Sequence, residues 1–345
     1  MFMETQKNRV VLTVKNLSVE YYRRDTVIPA VRDVTFELNE CETLAVVGES
    51  GCGKSTVALS ILNLISDTEG KISAGKVLFN NEDLLLLDDT SLRAVRGGKV
   101  SMIFQDPFTS LNPVFTVGEQ ISECLEIHEQ GFKESSENEK KVRVCSILET
   151  VKITDPVRVH GSYPHQLSGG MRQRVVIAMA VCTKPKLIIA DEPTTALDVT
   201  IQKEILELMF NLKHELGLAL ILITHNLGIV YNNADTIAVM YAGEVVEYGT
   251  ADEVIHSPMH PYTIGLVSAV PIIGNKKKRL YSIPGQIPDP SELPSGCAFH
   301  PRCERRMGIC SQVKPGLYDC GSRHNTRCFL FDKNEKNKHK NVGVI

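Results

Sequence analysis

The chain has 345 residues, of which 43% are hydrophobic and 23% charged, with a formal net charge of −3; that length suits one full domain plus a smaller unit. The near-neutral balance gives no electrostatic argument for a nucleic-acid groove. No apolar run approaches the ~18 residues of a membrane-spanning helix, and residues 1–14 lack the apolar stretch of a signal peptide, so the chain is expected in the cytoplasm.

Residues 11–38 alternate apolar and polar side chains in short runs ("VLTVKNLSVEY", "AVRDVTFEL"), the pattern of an antiparallel sheet with one wet face. The pattern then changes. "TLAVV" (43–47), "KVSMIF" (99–104), "KLIIAD" (186–191) and "ALILIT" (219–224) are nearly continuous apolar runs, as expected of strands covered on both faces by helices. Residues 107–181 carry helical spacing, with Ile147, Leu148 and Val151 on one face and a polar break at "GFKESSENEK", which predicts a helical subdomain inserted in the core. "TIAVMYAGEVVEYG" (236–249) reads as strand, turn and strand. After His256 the composition shifts to Pro, Gly and Cys. The predicted organisation is therefore a domain over 9–256, an extension over 257–330 and a polar tail over 331–345.

"GESGCGKST" (48–56) follows a predicted strand and precedes the helical run "STVALSILNLI", the context that makes a phosphate-binding loop credible. Gly48, Gly51 and Gly53 let the backbone curl so that its amides, including those of Ser50 and Cys52, face phosphate oxygens at a helix N-terminus. Lys54 would neutralise the β- and γ-phosphates, Ser55 would offer a hydroxyl to Mg²⁺, and Thr56 would add a phosphate contact. Asp191 ends the buried run "KLIIAD", where ligands collect in parallel sheets. It is expected to hold Mg²⁺ through the ion's water shell. Glu192 comes next, placed for general-base or water-orienting work on the γ-phosphate.

"LSGGMRQR" (167–174), preceded by "SYPHQ" and followed by "LIIADEPTTALD", resembles the signature of ATP-binding-cassette ATPases. The longer run "YPHQLSGGMRQRVVIAMA" is similar to the ATPase subunits of oligopeptide, dipeptide and nickel importers. "FQDPFTSLNP", "LITHNLGIV", "HPYTIGLVSAVP" and "PSGCAFHPRC" match the same pattern, so the resemblance spans residues 11–328. It implies an α/β fold: a P-loop NTPase, RecA-like core with an N-terminal antiparallel β subdomain, an inserted helical subdomain and a small Cys-rich extension.

The resemblance also implies roles. Ser168, Gly169 and Gly170 open a helix and cap the γ-phosphate bound by a second cassette, so that two subunits sandwich two ATP molecules head to tail. Gln105 matches the glutamine that reaches the Mg²⁺ and the attacking water and faces the membrane subunit. His225 matches the switch histidine at the γ-phosphate, although Asn226 stands where many relatives carry aspartate. Asp198 matches the loop that crosses the dimer interface. Tyr21 sits where relatives stack an aromatic on adenine, with Tyr22 as its rival. The implied partners are a second, different ATPase chain, two membrane permeases and, indirectly, an extracellular solute-binding protein, with no nucleic acid. The implied place is peripheral, on the cytoplasmic face of the membrane. Peptides lead as cargo, nickel or a nickel chelate follows, and a soluble cassette acting on nucleic acid or ribosomes is the reading from another class.

Cys297, Cys303, Cys310 and Cys328 are separated by five, six and seventeen residues, with no C-x-x-C pair, which weakens a zinc-knuckle reading. In members of the importer group with these four cysteines the extension is implied to hold a [4Fe–4S] cluster by thiolate ligation. Zinc remains the alternative, and free thiols or a disulfide the third. Cys320 fits the group less well and is spare or a substitute ligand.

Overall fold

The computed structural model describes residues 9–24, 26–195, 197–270, 282–321 and 323–332; the predicted polar tail lies outside them except for Phe331 and Asp332. The described residues fall into two compact units. One comprises the described parts of Met1–Val11, Asn39–Cys41 and Leu86–Leu222, the other Leu12–Leu38, Glu42–Leu85 and the chain from Ile223 onward.

The second unit carries the antiparallel sheet. Its strands run in the order Thr26–Asn39, Val10–Arg23, Gly70–Phe79 and Glu82–Asp83. The third of these has no counterpart in the sequence reading. Its middle is solvent-exposed and carries Gly75 and Lys76, so no apolar alternation betrays it, and it is held by pairing with Val10–Arg23. The same unit contains the strand Thr43–Val47, parallel to Thr236–Tyr241, which turns back antiparallel into Glu244–Thr250. Every residue of Thr43–Val47 is buried, as a strand covered on both faces requires.

The extension adds to this unit. Asn325 and Thr326 pair with Tyr248 and Glu247, and Tyr318 and Asp319 complete the hairpin. Tyr262 and Phe299 enter the same core cluster as Val47, Val239, Tyr241 and Val254, all at most 3% exposed. The Cys-rich segment is thus ordered by sharing the core of the preceding strands, each buried aromatic contributing roughly 1.5–3 kcal/mol.

The strands Leu187–Asp191 and Val100–Ile103 of the first unit are parallel neighbours, and Ala219–Thr224, whose first four residues belong to this unit, pairs on the other side of Leu187–Asp191. Helices Val117–His128, Glu137–Thr150, Pro156–His160 and Gly169–Val181 occupy the predicted helical region. Thr116 and Ser136 each start a helix with a reciprocal bond to a glutamate three residues on, the capping box that satisfies two otherwise orphaned amides. Among the described residues no helix is long and apolar enough to cross a membrane.

Candidate nucleotide site

The loop at residues 48–56 joins the buried strand Thr43–Val47 to the helix Lys54–Ile61. Its glycines answer to space as well as to conformation. A Cβ on Gly48 would lie 2.3 Å from the Met240 carbonyl oxygen, and one on Gly53, at φ 101°, would lie 2.6 Å from that of Ala30. Only glycine fits both positions. Ser50, Gly51 and Ser55 face solvent, Thr56 is half-buried, and Cys52 is fully buried, its thiol pushed up by burial against the pull of Lys54.

Lys54 is 5% exposed. Its Nζ donates to the carbonyls of Gly48 at 2.9 Å and Glu49 at 3.1 Å, so the ammonium rests on its own loop. Three residues without a role assigned from sequence, Glu49, Tyr262 and Arg302, complete the arrangement. The Glu49 amide donates to Tyr262 Oη at 2.9 Å, and the Glu49 carboxylate takes two bonds from Arg302, at 2.8 and 3.1 Å. Tyr21 lies half-buried opposite Gly70, while Tyr22 is 42% exposed. His225 is exposed at the end of Ala219–Thr224, and Asn226 caps the short helix after it by accepting from the Gly228 amide.

The other unit gathers a second set of motif residues. Asp191, 5% exposed, closes the strand Leu187–Asp191. Glu192 follows with φ 44°, a left-handed backbone that costs a non-glycine residue about 1–3 kcal/mol and is found at functional sites. Its Oε2 accepts from Gln105 Nε2 at 3.3 Å and from Thr195 Oγ1 at 2.9 Å. The glutamine and the carboxylate, 87 residues apart, are therefore brought together. Thr195 had no assigned role, although it lies within the quoted "DEPTTALD".

Ser168 caps the helix Gly169–Val181, its Oγ accepting from the Met171 amide at 3.3 Å. The glycines that follow have a packing reason. A Cβ on Gly169 would lie 3.3 Å from Leu197, and one on Gly170 would lie 2.9 Å from Ile201, so the helix start is pressed against the segment carrying Asp198. That aspartate caps the helix Val199–Leu216 by accepting from the Thr200 and Ile201 amides, and Gln202 holds the loop before it by donating to the Thr194 and Leu197 carbonyls.

Cys297, Cys303, Cys310 and Cys328 line one small pocket with Phe299 and Phe329. Burial, reinforced by the neighbouring thiols, pushes Cys297 up to about 11 and Cys328 to about 12. Cys320 does not line that pocket; its thiol donates to the Tyr318 carbonyl at 3.7 Å. Among the described residues no group of three or more His, Cys, Asp or Glu side chains is drawn together around a single metal position. A zinc site needs its sulfurs about 2.3 Å from one ion, so the zinc reading is unsupported, and this arrangement gives the [4Fe–4S] reading no direct support either.

Two families match the chain: ABC transporter over residues 31–195, and the C-terminal region of oligopeptide/dipeptide transporters over residues 246–310. The oligopeptide transport ATP-binding protein AppD of Bacillus subtilis is 45% identical, over 94% of this chain and 97% of its own. The dipeptide transport ATP-binding protein DppD of Haemophilus influenzae is 48% identical, over 91% and 93%. Among solved structures, the dimeric, ADP- and Pi-bound post-hydrolysis state of the ATP-binding cassette MJ0796 aligns with a TM-score of 0.62 at 30% identity, covering 70% of this chain and 98% of that one. The cassette cbiO1 of Clostridium perfringens aligns with a TM-score of 0.60 at 28% identity, over 72% and 92%.

Proposed function

The chain belongs to the ATP-binding-cassette transporter ATPases, and from that premise we propose that it is the ATP-hydrolysing subunit of a peptide importer. The observation that carries the cargo class is the pairing on one chain of the ABC match with the oligopeptide/dipeptide C-terminal match. Relatives named for oligopeptide and for dipeptide transport both align over nearly their whole length.

In this reading the ammonium of Lys54, now on two loop carbonyls, is offered to the β- and γ-phosphates, with Ser55 and Asp191 serving Mg²⁺. Glu192, held by Gln105 and Thr195, orients the attacking water and takes its proton, aided by His225. Tyr21 stacks on the adenine. Ser168, Gly169 and Gly170, at an exposed-to-half-buried helix start, present amides to the γ-phosphate held by a second cassette, with Asp198 at that interface. The resulting dimer, with a different chain as second cassette, sits peripherally on the cytoplasmic face of the membrane. It drives two permeases because ATP favours the closed state, and a ligand shifts an equilibrium only by what it discriminates. An iron–sulfur group in the extension rests on the family resemblance of its four cysteines, whose thiols line one pocket without converging on a single metal position among the described residues. Binding it there would release thiol protons, and iron with acid-labile sulfide in anaerobically prepared protein is its test.

The cargo is tested by deleting the gene and measuring uptake of a labelled dipeptide, an oligopeptide and nickel, with Lys54→Ala as the rescue control. Loss of peptide uptake alone is the expected result. Loss of nickel uptake alone would move the chain to metal acquisition, and loss of neither would remove it from import.

A further inference from the structure

Glu49 is an odd residue for its place: a carboxylate inside a loop meant to receive a polyanion. Coulomb repulsion between like charges a few ångströms apart amounts to about 1 kcal/mol even in bulk water and several at a protein surface. The carboxylate is answered by one residue 253 positions away in sequence. Arg302 is 6% exposed at its side chain and Glu49 29%. Nη1 donates to Glu49 Oε2 at 2.8 Å and Nη2 to Oε1 at 3.1 Å, the two-pronged geometry only a guanidinium provides. The fork is fixed from behind. Nε donates to the Pro284 carbonyl at 2.8 Å, and the plane lies 5.7 Å from the Tyr241 ring centre and 5.9 Å from that of Phe299.

Glu49 is held at its other polar groups too. Its amide is taken by the buried hydroxyl of Tyr262, and its carbonyl by Lys54. Each rigid element that touches Glu49 therefore bears on the residue that also seats the phosphate-binding ammonium. Arg302 itself belongs to the turn His300–Arg302, which links Cys297 to Cys303 through the bonds from the His300 amide to the Cys297 carbonyl and from the Cys303 amide to the His300 carbonyl.

We propose that Arg302, together with Tyr262, is a positioning residue of the phosphate loop: it cancels the charge of Glu49 and fixes the loop, so that the C-terminal segment sets nucleotide affinity. The inference rests on the reading of residues 48–56 as the nucleotide loop. A staple serving only to fasten the extension would affect stability and leave nucleotide affinity and its salt dependence alone.

The test is ATP binding by the full chain, with Arg302→Met, Glu49→Gln and the double variant, at low and high salt. Arg302→Met is expected to raise the Kd for ATP at least about fivefold, the lower end of typical coupling between sites. The rise should shrink at high salt, because screening weakens the uncancelled carboxylate. The double variant should recover most of the loss, since the charge is then gone. If Arg302→Met does not fold, Arg302→Gln with and without Glu49→Gln carries the same test, because glutamine removes the charge while keeping a hydrogen-bonding side chain. A wild-type Kd in the single variant, or a double variant as weak as the single, overturns the inference. Failure of the wild-type chain to bind ATP would instead overturn the reading of the loop.

Discussion

The phosphate loop and the strand end at Asp191 and Glu192 are held in opposite ways. The loop is wedged: Gly48 and Gly53 leave no room for a Cβ, Lys54 is 5% exposed, and Glu49 is gripped at amide, carbonyl and carboxylate. Glu192 stands on a strained left-handed backbone, steadied by a glutamine and a threonine from the solvent side. On the proposed function, the difference separates binding from cleavage. An element that must receive phosphates without reorganising is built into the core, whereas a carboxylate that must meet water is kept reachable.

The sharpest way to break that division is Glu192→Gln. Turnover should fall about 10²–10⁴-fold, the usual worth of a positioned general base, with ATP affinity unchanged; steady-state hydrolysis beside equilibrium binding reads both. Next comes acid. His260 is buried against Phe299 and the Glu247–His324 pair, and its Nδ1 accepts from the Tyr262 amide. Burial lowers its folded pKa from 6.5 to about 4, so the unfolded chain takes up the proton first. Its contribution is complete above about pH 6.5 and is lost as pH falls toward 4, at most about 3 kcal/mol. Thermal unfolding should track that window in the wild type and flatten in His260→Asn, which keeps a capping acceptor without the titration.

Gly53→Ala tests the wedge itself. The left-handed φ and the 2.6 Å approach to Ala30 should cost about 1–3 kcal/mol in chemical denaturation. The smallest effect is expected of Thr195→Ala, which removes one hydrogen bond to a carboxylate and should slow turnover by about tenfold, again without changing ATP affinity. A fall in affinity there would blur the two regions into one.

How much of this could be read beforehand follows from where the information lies along the chain. Thr43–Val47 and Ala219–Thr224 were legible to the residue, because a strand buried on both faces leaves an unbroken apolar run. Gly70–Phe79 was not, since its exposed middle owes its place to a partner strand. The contiguous motifs were likewise legible: the residues at 48–56, Asp191 with Glu192, and Ser168 with its glycines each sit where a local pattern put them. Glu49 and Arg302 sit inside two contiguous motifs, yet nothing in either stretch says that they meet. Nor could cysteine spacing reveal that four thiols share a pocket and the fifth does not. Such pairings are decided by tertiary packing, which leaves no period in the sequence.

The most direct test of the central claim is one ATP titration of the full chain carrying Lys54→Ala beside one carrying Glu192→Gln. The account predicts that the first loses ATP affinity by about a hundredfold, within the ~2–5 kcal/mol that truncating one partner of a buried charge pair costs, and that the second binds as the wild type does. Equal losses in both, or an unchanged affinity in Lys54→Ala, would contradict it.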